Sequence, residues 1–216
     1  MTTEAAAGEG RSGRGFDGFA PETLHLAGRT FVIRRATEAD VPALVELLRD
    51  DILGAARESG TEDAVPYARA FALIDADPNQ LLVAVTENAG NAESADQAGS
   101  VGQTGTADQT EIAGEAGSSD QSHDDSTIVG TLQLSLLPSL SRRGTLRLQI
   151  EAVRIDASAQ GIGLGTAVFE WAHECGRRFG AGLAQLTTDK SRTGAQRFYD
   201  RLGYVASHEG MKLPLD

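Results

Sequence analysis

The chain has 216 residues, 40% of them hydrophobic, enough for one well-buried core and too little for two independent domains of comfortable size. A formal net charge of −12 argues against a partner held by phosphate neutralisation, so no nucleic-acid partner is expected. The longest apolar stretches, such as residues 81–85, fall far short of the roughly 20 residues a bilayer core requires, and the N-terminus has no apolar signal-peptide centre. No membrane association is expected, and the expected location is cytoplasmic, which suits the single Cys175.

Taken in chain order, residues 1–22 are rich in Gly, Ala, Glu and Arg without periodicity and read as a disordered tail. Phe31-Val32-Ile33-Arg34 reads as a strand, and Thr37 followed by Asp40 resembles a capping arrangement at a helix start. Val41, Leu44, Val45 and Leu48 recur at helical spacing; a second helix carries Tyr67, Phe71 and Ile74 and ends before Asp77-Pro78. Residues 81–85 form a short apolar strand.

Residues 87–126 then hold nine acids and no Lys or Arg, leaving 22 acids against 19 basic residues, a net −3, for the rest. With almost no large aliphatic residue beyond Val101 and Ile112, this tract cannot offset its chain entropy and reads as a disordered acidic insertion in a surface loop. If it joins neighbouring strands, its ends lie close together. The domain is thus expected over residues 30–86 and 127–216.

Beyond the insertion, residues 128–137 and 145–155 read as strands. A glycine turn over residues 160–165 opens a helix with Leu164, Val168, Trp171, Ala172, Cys175 and Phe179 on its apolar face, stopped by Gly180. Residues 183–188 form a strand, residues 195–202 a short helix ended by Gly203, and residues 204–213 the last strand material. The alternation is that of a mixed α/β domain with one central sheet.

A glycine turn between a strand and a helix N-terminus presents unpaired N–H groups and the positive end of the helix dipole, a phosphate-binding arrangement. Gly165-Thr166-Ala167 lacks the lysine of a triphosphate loop, and Thr166 takes the place of the third glycine of a dinucleotide fingerprint. No Cys and His cluster has zinc spacing, so no metal is expected. His173 lies on the polar helix face and is expected to be solvated, Cys175 to be core, and His208 with Glu209 to lie near the C-terminus as a candidate border of an acceptor pocket.

Gln160-Gly161-Ile162-Gly163-Leu164-Gly165 resembles the acetyl-CoA signature of the GNAT N-acetyltransferase superfamily. Ala195-Gln196-Arg197-Phe198-Tyr199, followed by Leu202-Gly203-Tyr204, is similar to its second signature, and Arg35-Ala36-Thr37 with Asp40 to its first strand-to-helix passage. The resemblance implies a mostly antiparallel sheet, splayed at its fourth strand, with helices on both faces. It implies that the backbone of Val153, Arg154 and Ile155 pairs with a pantetheine arm, and that Gln160, Gly161, Ile162, Gly163, Leu164, Gly165 and Thr166 form the cofactor loop. It also implies that Tyr199 protonates the leaving thiolate. Arg192 stands where many members have Asn, Gln160 replaces the commoner Arg, and the final hairpin is expected to shrink to a bend around His208 to Gly210.

A lysine-like amine with pKa about 10.4 must lose a proton before attack, at a cost of about 4.6 kcal/mol at pH 7. Glu151 is the candidate base: two residues before Val153, it is expected on the same sheet face as Val153. The expected function is direct acetyl transfer from acetyl-CoA to a primary amine of a small molecule, since residues 186–204 with Ser207-His208 resemble enzymes acting on amines such as aminoalkylphosphonates. Protein N-termini or lysines as acceptors, and a non-catalytic acyl-CoA-binding sensory module, remain the alternatives. A homodimer is the assembly kept open.

Overall fold

The computed structural model describes residues 14–50, 64–88 and 126–215. Strands β1 (Glu22–Leu26), β2 (Arg29–Arg35), β3 (Gln80–Asn88), β4 (Ser126–Leu137), β5 (Arg147–Ile155) and β6 (Leu183–Leu186) lie side by side in chain order. Every neighbouring pair is antiparallel except β5 with β6. Helices α1 (Val41–Arg49) and α2 (Val65–Ala76) precede β3, α3 (Leu164–Arg178) separates β5 from β6, and α4 (Thr193–Arg201) follows β6.

The passage from β2 to α1 follows the expected capping chemistry. Asp40 accepts from the Thr37 backbone N–H at 2.7 Å and hydroxyl at 2.9 Å, and takes the two Nη groups of Arg34 at 2.7 and 2.8 Å. The guanidinium beside it holds the Asp40 carboxyl below the usual carboxylate range, so this buried charge is compensated.

The sheet is covered on both faces. On one, Leu81, Val83, Leu132, Leu134, Leu148 and Ile150 meet Val168, Phe169, Ala172 and Cys175 of α3 in the main core. On the other, Ala36, Leu44 and Ala84 form a smaller cluster under α1. Burial pushes the Cys175 thiol up to about 11, as befits a core cysteine.

Several expected boundaries move. The N-terminal tail was expected through residue 22, yet from Arg14 onward the chain is folded: Phe16 is fully buried, its ring 5.1 Å edge-on from Phe179, and its N–H donates to the Pro78 carbonyl at 2.6 Å. Gly15 permits this approach, because it sits at φ +52° and a Cβ there would lie 2.0 Å from the Pro78 oxygen. β1 extends the sheet beyond the expected start at residue 30. Ala27 and Gly28, both at positive φ, make the tight turn joining it to β2.

Of the acidic tract, Glu87, Asn88 and Ser126 are strand residues, and Asn88 pairs with Ser126, so its ends are adjacent; the remainder of the tract lies outside the described residues. The strand expected over residues 204–213 is not formed. Tyr204 instead turns inward against Phe169, and Val205, Met211 and Leu213 are exposed.

Candidate active site

The site is built around the point where β5 and β6 part. Their pairing runs from Arg147 opposite Leu183 to Ile150 opposite Leu186 and stops, while β5 continues to Ile155 bonded to β4 alone. This is the strand expected to splay; it is fifth here because β1 adds one to the count. Among the described residues the β6-facing backbone edge after Ile150 therefore has no strand beside it, and an extended ligand can pair there.

A bulge accompanies the parting. Thr131 pairs with Arg154 but Gln133 with Glu151, so Ala152 and Val153 together oppose Leu132. Ala152 takes φ +52°, a left-handed conformation that costs an alanine roughly 1–2 kcal/mol and is held by the ladder on either side. The extra residue inverts the alternation of side chains. Leu148 and Ile150 face the α3 core before the bulge, and Val153 and Ile155 pack on that same core after it. Glu151 thus points to the opposite face from Val153, where it is exposed; the expectation that the two share a face is corrected.

At the end of β5 the Val153 carbonyl accepts from Arg154 Nη1 at 2.8 Å and the Ile155 carbonyl from Gln160 Nε2 at 2.9 Å. Gln160 therefore folds back and fastens the loop to the strand, and does not extend from the turn. Ile162 packs on the core and Leu164 is buried, which pins the turn from beneath. A side chain at Gly161 (φ +78°) or Gly163 (φ +92°) would meet nothing within 4 Å among the described residues, so the front of the turn is open there. The first helical bond of α3 runs from Ala167 N–H to the Gly163 carbonyl at 3.1 Å. The N–H groups of Leu164, Gly165 and Thr166 precede the ladder and are available to an anion.

Tyr199 on α4 is half-buried against Phe169 and Phe198, with ring centroids 5.6 and 5.5 Å away. Burial raises its phenol above the usual value, and the charges of Arg192 and Arg154 pull it back down. Arg154 of β5 and Tyr199 of α4 are thereby within electrostatic reach of each other, with Tyr199 packed on the α3 side of the sheet. Glu151 faces the α1 side.

His173 is not the solvated residue its helix position suggested. Its Nε2 lies 2.7 Å from the Tyr204 hydroxyl, and burial lowers its pKa while pushing that of Tyr204 up to about 12. Tyr204 could occupy this place only because the chain turns in after Gly203 instead of starting a strand. His208 is exposed and its ring bonds the neighbouring Ser207, and Glu209 pairs with Lys190 at 3.1 Å.

Two residues with no distinguishing pattern in the sequence complete the geometry on the Glu151 side. Gln149 Nε2 donates to Glu151 Oε1 at 3.4 Å, and Gln185 Nε2 donates to Gln149 Oε1 at 2.7 Å. Glutamine in a strand carries no signal of its own, and their pairing depends on the β5 to β6 register. Among the described residues no group of His, Cys, Asp or Glu is placed to hold a metal, and no helix is long and apolar enough to cross a membrane.

Comparison with known proteins fits this architecture. The Acetyltransferase (GNAT) family model matches residues 109–204. A crystal structure of a transcriptional regulator from Bacillus halodurans C-125 superposes with a TM-score of 0.63 at 35% identity, covering 86% of this chain and 99% of that one. An acetyltransferase from Trypanosoma brucei shares the fold, with a TM-score of 0.55 at 22% identity, over 86% of this chain and 99% of its own. A curated aminoalkylphosphonate N-acetyltransferase from Salmonella typhimurium is 37% identical over 60 residues, which are 28% of this chain and 39% of that protein. A parallel pair that opens beside a β5 bulge, a glycine turn facing open space at the following helix, and these matches together place the chain in the GNAT acetyltransferase family.

Proposed function

We propose that this protein transfers the acetyl group of acetyl-CoA directly to a primary amine of a small molecule. The observation that carries the reading is the open front of the turn at Gly161 and Gly163, set at the α3 N-terminus and fastened by Gln160 to the free edge of β5. A pyrophosphate fits there: two glycines leave room for close approach, and the N–H groups of Leu164, Gly165 and Thr166 lie at the positive end of the helix. The backbone of Val153, Arg154 and Ile155 would pair with the pantetheine arm along the edge that β6 leaves.

In a direct transfer the amine nitrogen bonds to the thioester carbon, the C–S bond breaks, the ammonium proton goes to a base and the thiolate takes up a proton or a hydrogen bond. Glu151 is the base in this reading and Tyr199 the donor to sulfur. A phenol of pKa about 10 is a weak acid toward a thiolate near 8.5, uphill by about 2 kcal/mol, and burial of Tyr199 raises it further. Its contribution is therefore mainly hydrogen bonding to the leaving sulfur. Tyr199→Phe is expected to lower kcat roughly tenfold while leaving acetyl-CoA affinity unchanged. An unaltered kcat removes Tyr199 from the reaction.

The similarity of 60 residues to an aminoalkylphosphonate N-acetyltransferase supports small amines, aminoalkylphosphonates among them, as acceptors. A cytoplasmic site of action, where the single thiol stays reduced, goes with this reading. A second reading, acyl-CoA binding without turnover, draws on the relative described as a transcriptional regulator. Calorimetric titration with acetyl-CoA beside a thiol-release assay over amines, aminophosphonates and peptides decides between them. Binding with release supports the enzyme, binding without release across the panel supports the sensor, and no binding overturns both.

A further inference from the structure

We infer that Gln149 and Gln185 are positioning residues that hold the Glu151 carboxylate for proton uptake, an inference that rests on the reading of Glu151 as the base. The four side chains form a directed chain across the two strands that flank the parting of the sheet. Arg147 Nη1 donates to Gln185 Oε1 at 3.3 Å, Gln185 Nε2 to Gln149 Oε1 at 2.7 Å, and Gln149 Nε2 to Glu151 Oε1 at 3.4 Å. Gln149 and Gln185 are direct partners in the parallel register, one pair before it ends.

The ends of this chain set its polarity. An arginine can only donate and an ionised carboxylate can only accept. Arg147 therefore fixes the Gln185 amide with its oxygen toward the guanidinium, and Glu151 fixes the Gln149 amide with its nitrogen toward the carboxylate. Those two orientations leave a nitrogen of Gln185 facing an oxygen of Gln149, a matched bond at the shortest distance of the three. No link is frustrated, so the whole row has one preferred arrangement.

Its effect falls on Glu151. That side chain is exposed on a strand that bulges at the next residue, and Gln133, its cross-strand partner, turns its amide to Gln80 at 3.1 Å instead. Gln149 thus supplies the hydrogen bond that restricts the carboxylate. It engages Oε1 and leaves the other oxygen to take the proton of the incoming ammonium.

The test replaces each glutamine by methionine, which keeps the length and removes the donor and acceptor. Thiol release from acetyl-CoA is followed with the fastest amine of the panel. Gln149→Met is expected to lower kcat roughly tenfold at unchanged KM for acetyl-CoA, and Gln185→Met to lower it less. In a Glu151→Gln background the same replacement is expected to change the rate less than about twofold, because a residue acting only through Glu151 has nothing left to act on.

A loss that persists in full in that background means a structural role and overturns the inference. A parent-like Gln149→Met beside an impaired Glu151→Gln overturns it while leaving the base in place; a parent-like Glu151→Gln removes the base reading and the inference together. A readout without turnover is the side-chain amide resonance of Gln149 in labelled protein, expected to move when Glu151→Ala removes the acceptor of its hydrogen bond. A resonance at the parent position in Glu151→Ala overturns the inference.

Discussion

Glu151→Gln is expected to reduce kcat for amine acetylation by about a hundredfold at pH 7, with the affinity for acetyl-CoA unchanged. The reason is the cost of presenting a neutral nucleophile: a primary amine of pKa about 10.4 needs about 4.6 kcal/mol to lose its proton at pH 7, and a carboxylate in place offsets part of that. The amide keeps the shape of the side chain and its bond with Gln149 through the remaining oxygen, so the loss reports the proton acceptor and not the packing. The deficit is expected to shrink for amines of lower pKa or as the pH approaches that of the amine, where the neutral form is already abundant. Rates across a series of amines check this. A constant hundredfold deficit regardless of amine basicity would assign Glu151 to binding the acceptor, and a parent-like rate would remove it from the site.

Phe16→Ala is expected to destabilise the fold by about 3–5 kcal/mol, the range for removing a buried aromatic side chain. At this chain length that corresponds to a thermal midpoint lower by roughly 6–20 °C. Phe16 is fully buried, stacks edge-on with Phe179 at the end of α3, and its carbonyl receives Arg35 Nη2 at 3.2 Å. The effect is therefore a test of whether the segment before β1 belongs to the folded domain. Differential scanning calorimetry of the parent, Phe16→Leu and Phe16→Ala measures it. Leu is expected to fall between the other two, and a midpoint within a degree for all three would place the segment outside the folded domain.

The parts of the site that were legible are those made by neighbours in sequence. The turn from Gln160 to Thr166 declares itself through glycines before a periodic helix, and α3 buries Leu164, Val168, Trp171, Ala172 and Cys175 as the spacing required. Thr37 and Asp40 meet across one turn of chain, so a short motif sufficed for them too, although the guanidinium on Asp40 comes from Arg34. Ala27-Gly28 joins β1 to β2 with two positive φ values, but without the Asn or Asp that usually marks such a turn β1 had no signal.

What tertiary structure decided is the direction in which side chains leave β5, and this governs the chemistry. Strand alternation alone puts Glu151 and Val153 on one face; a single left-handed alanine between them puts them on opposite faces, and nothing about an alanine announces that conformation. The row from Arg147 through Gln185 and Gln149 to Glu151 exists only at one register of two strands separated by a whole helix. The sequence by itself determined the glycine turn and the helix faces, because these rest on local periodicity and backbone freedom, and its short motifs carried the resemblance to the family. The bulge, the glutamine row, the burial of Phe16 and the His173 to Tyr204 contact awaited the fold, because each depends on which distant strand or helix lies alongside.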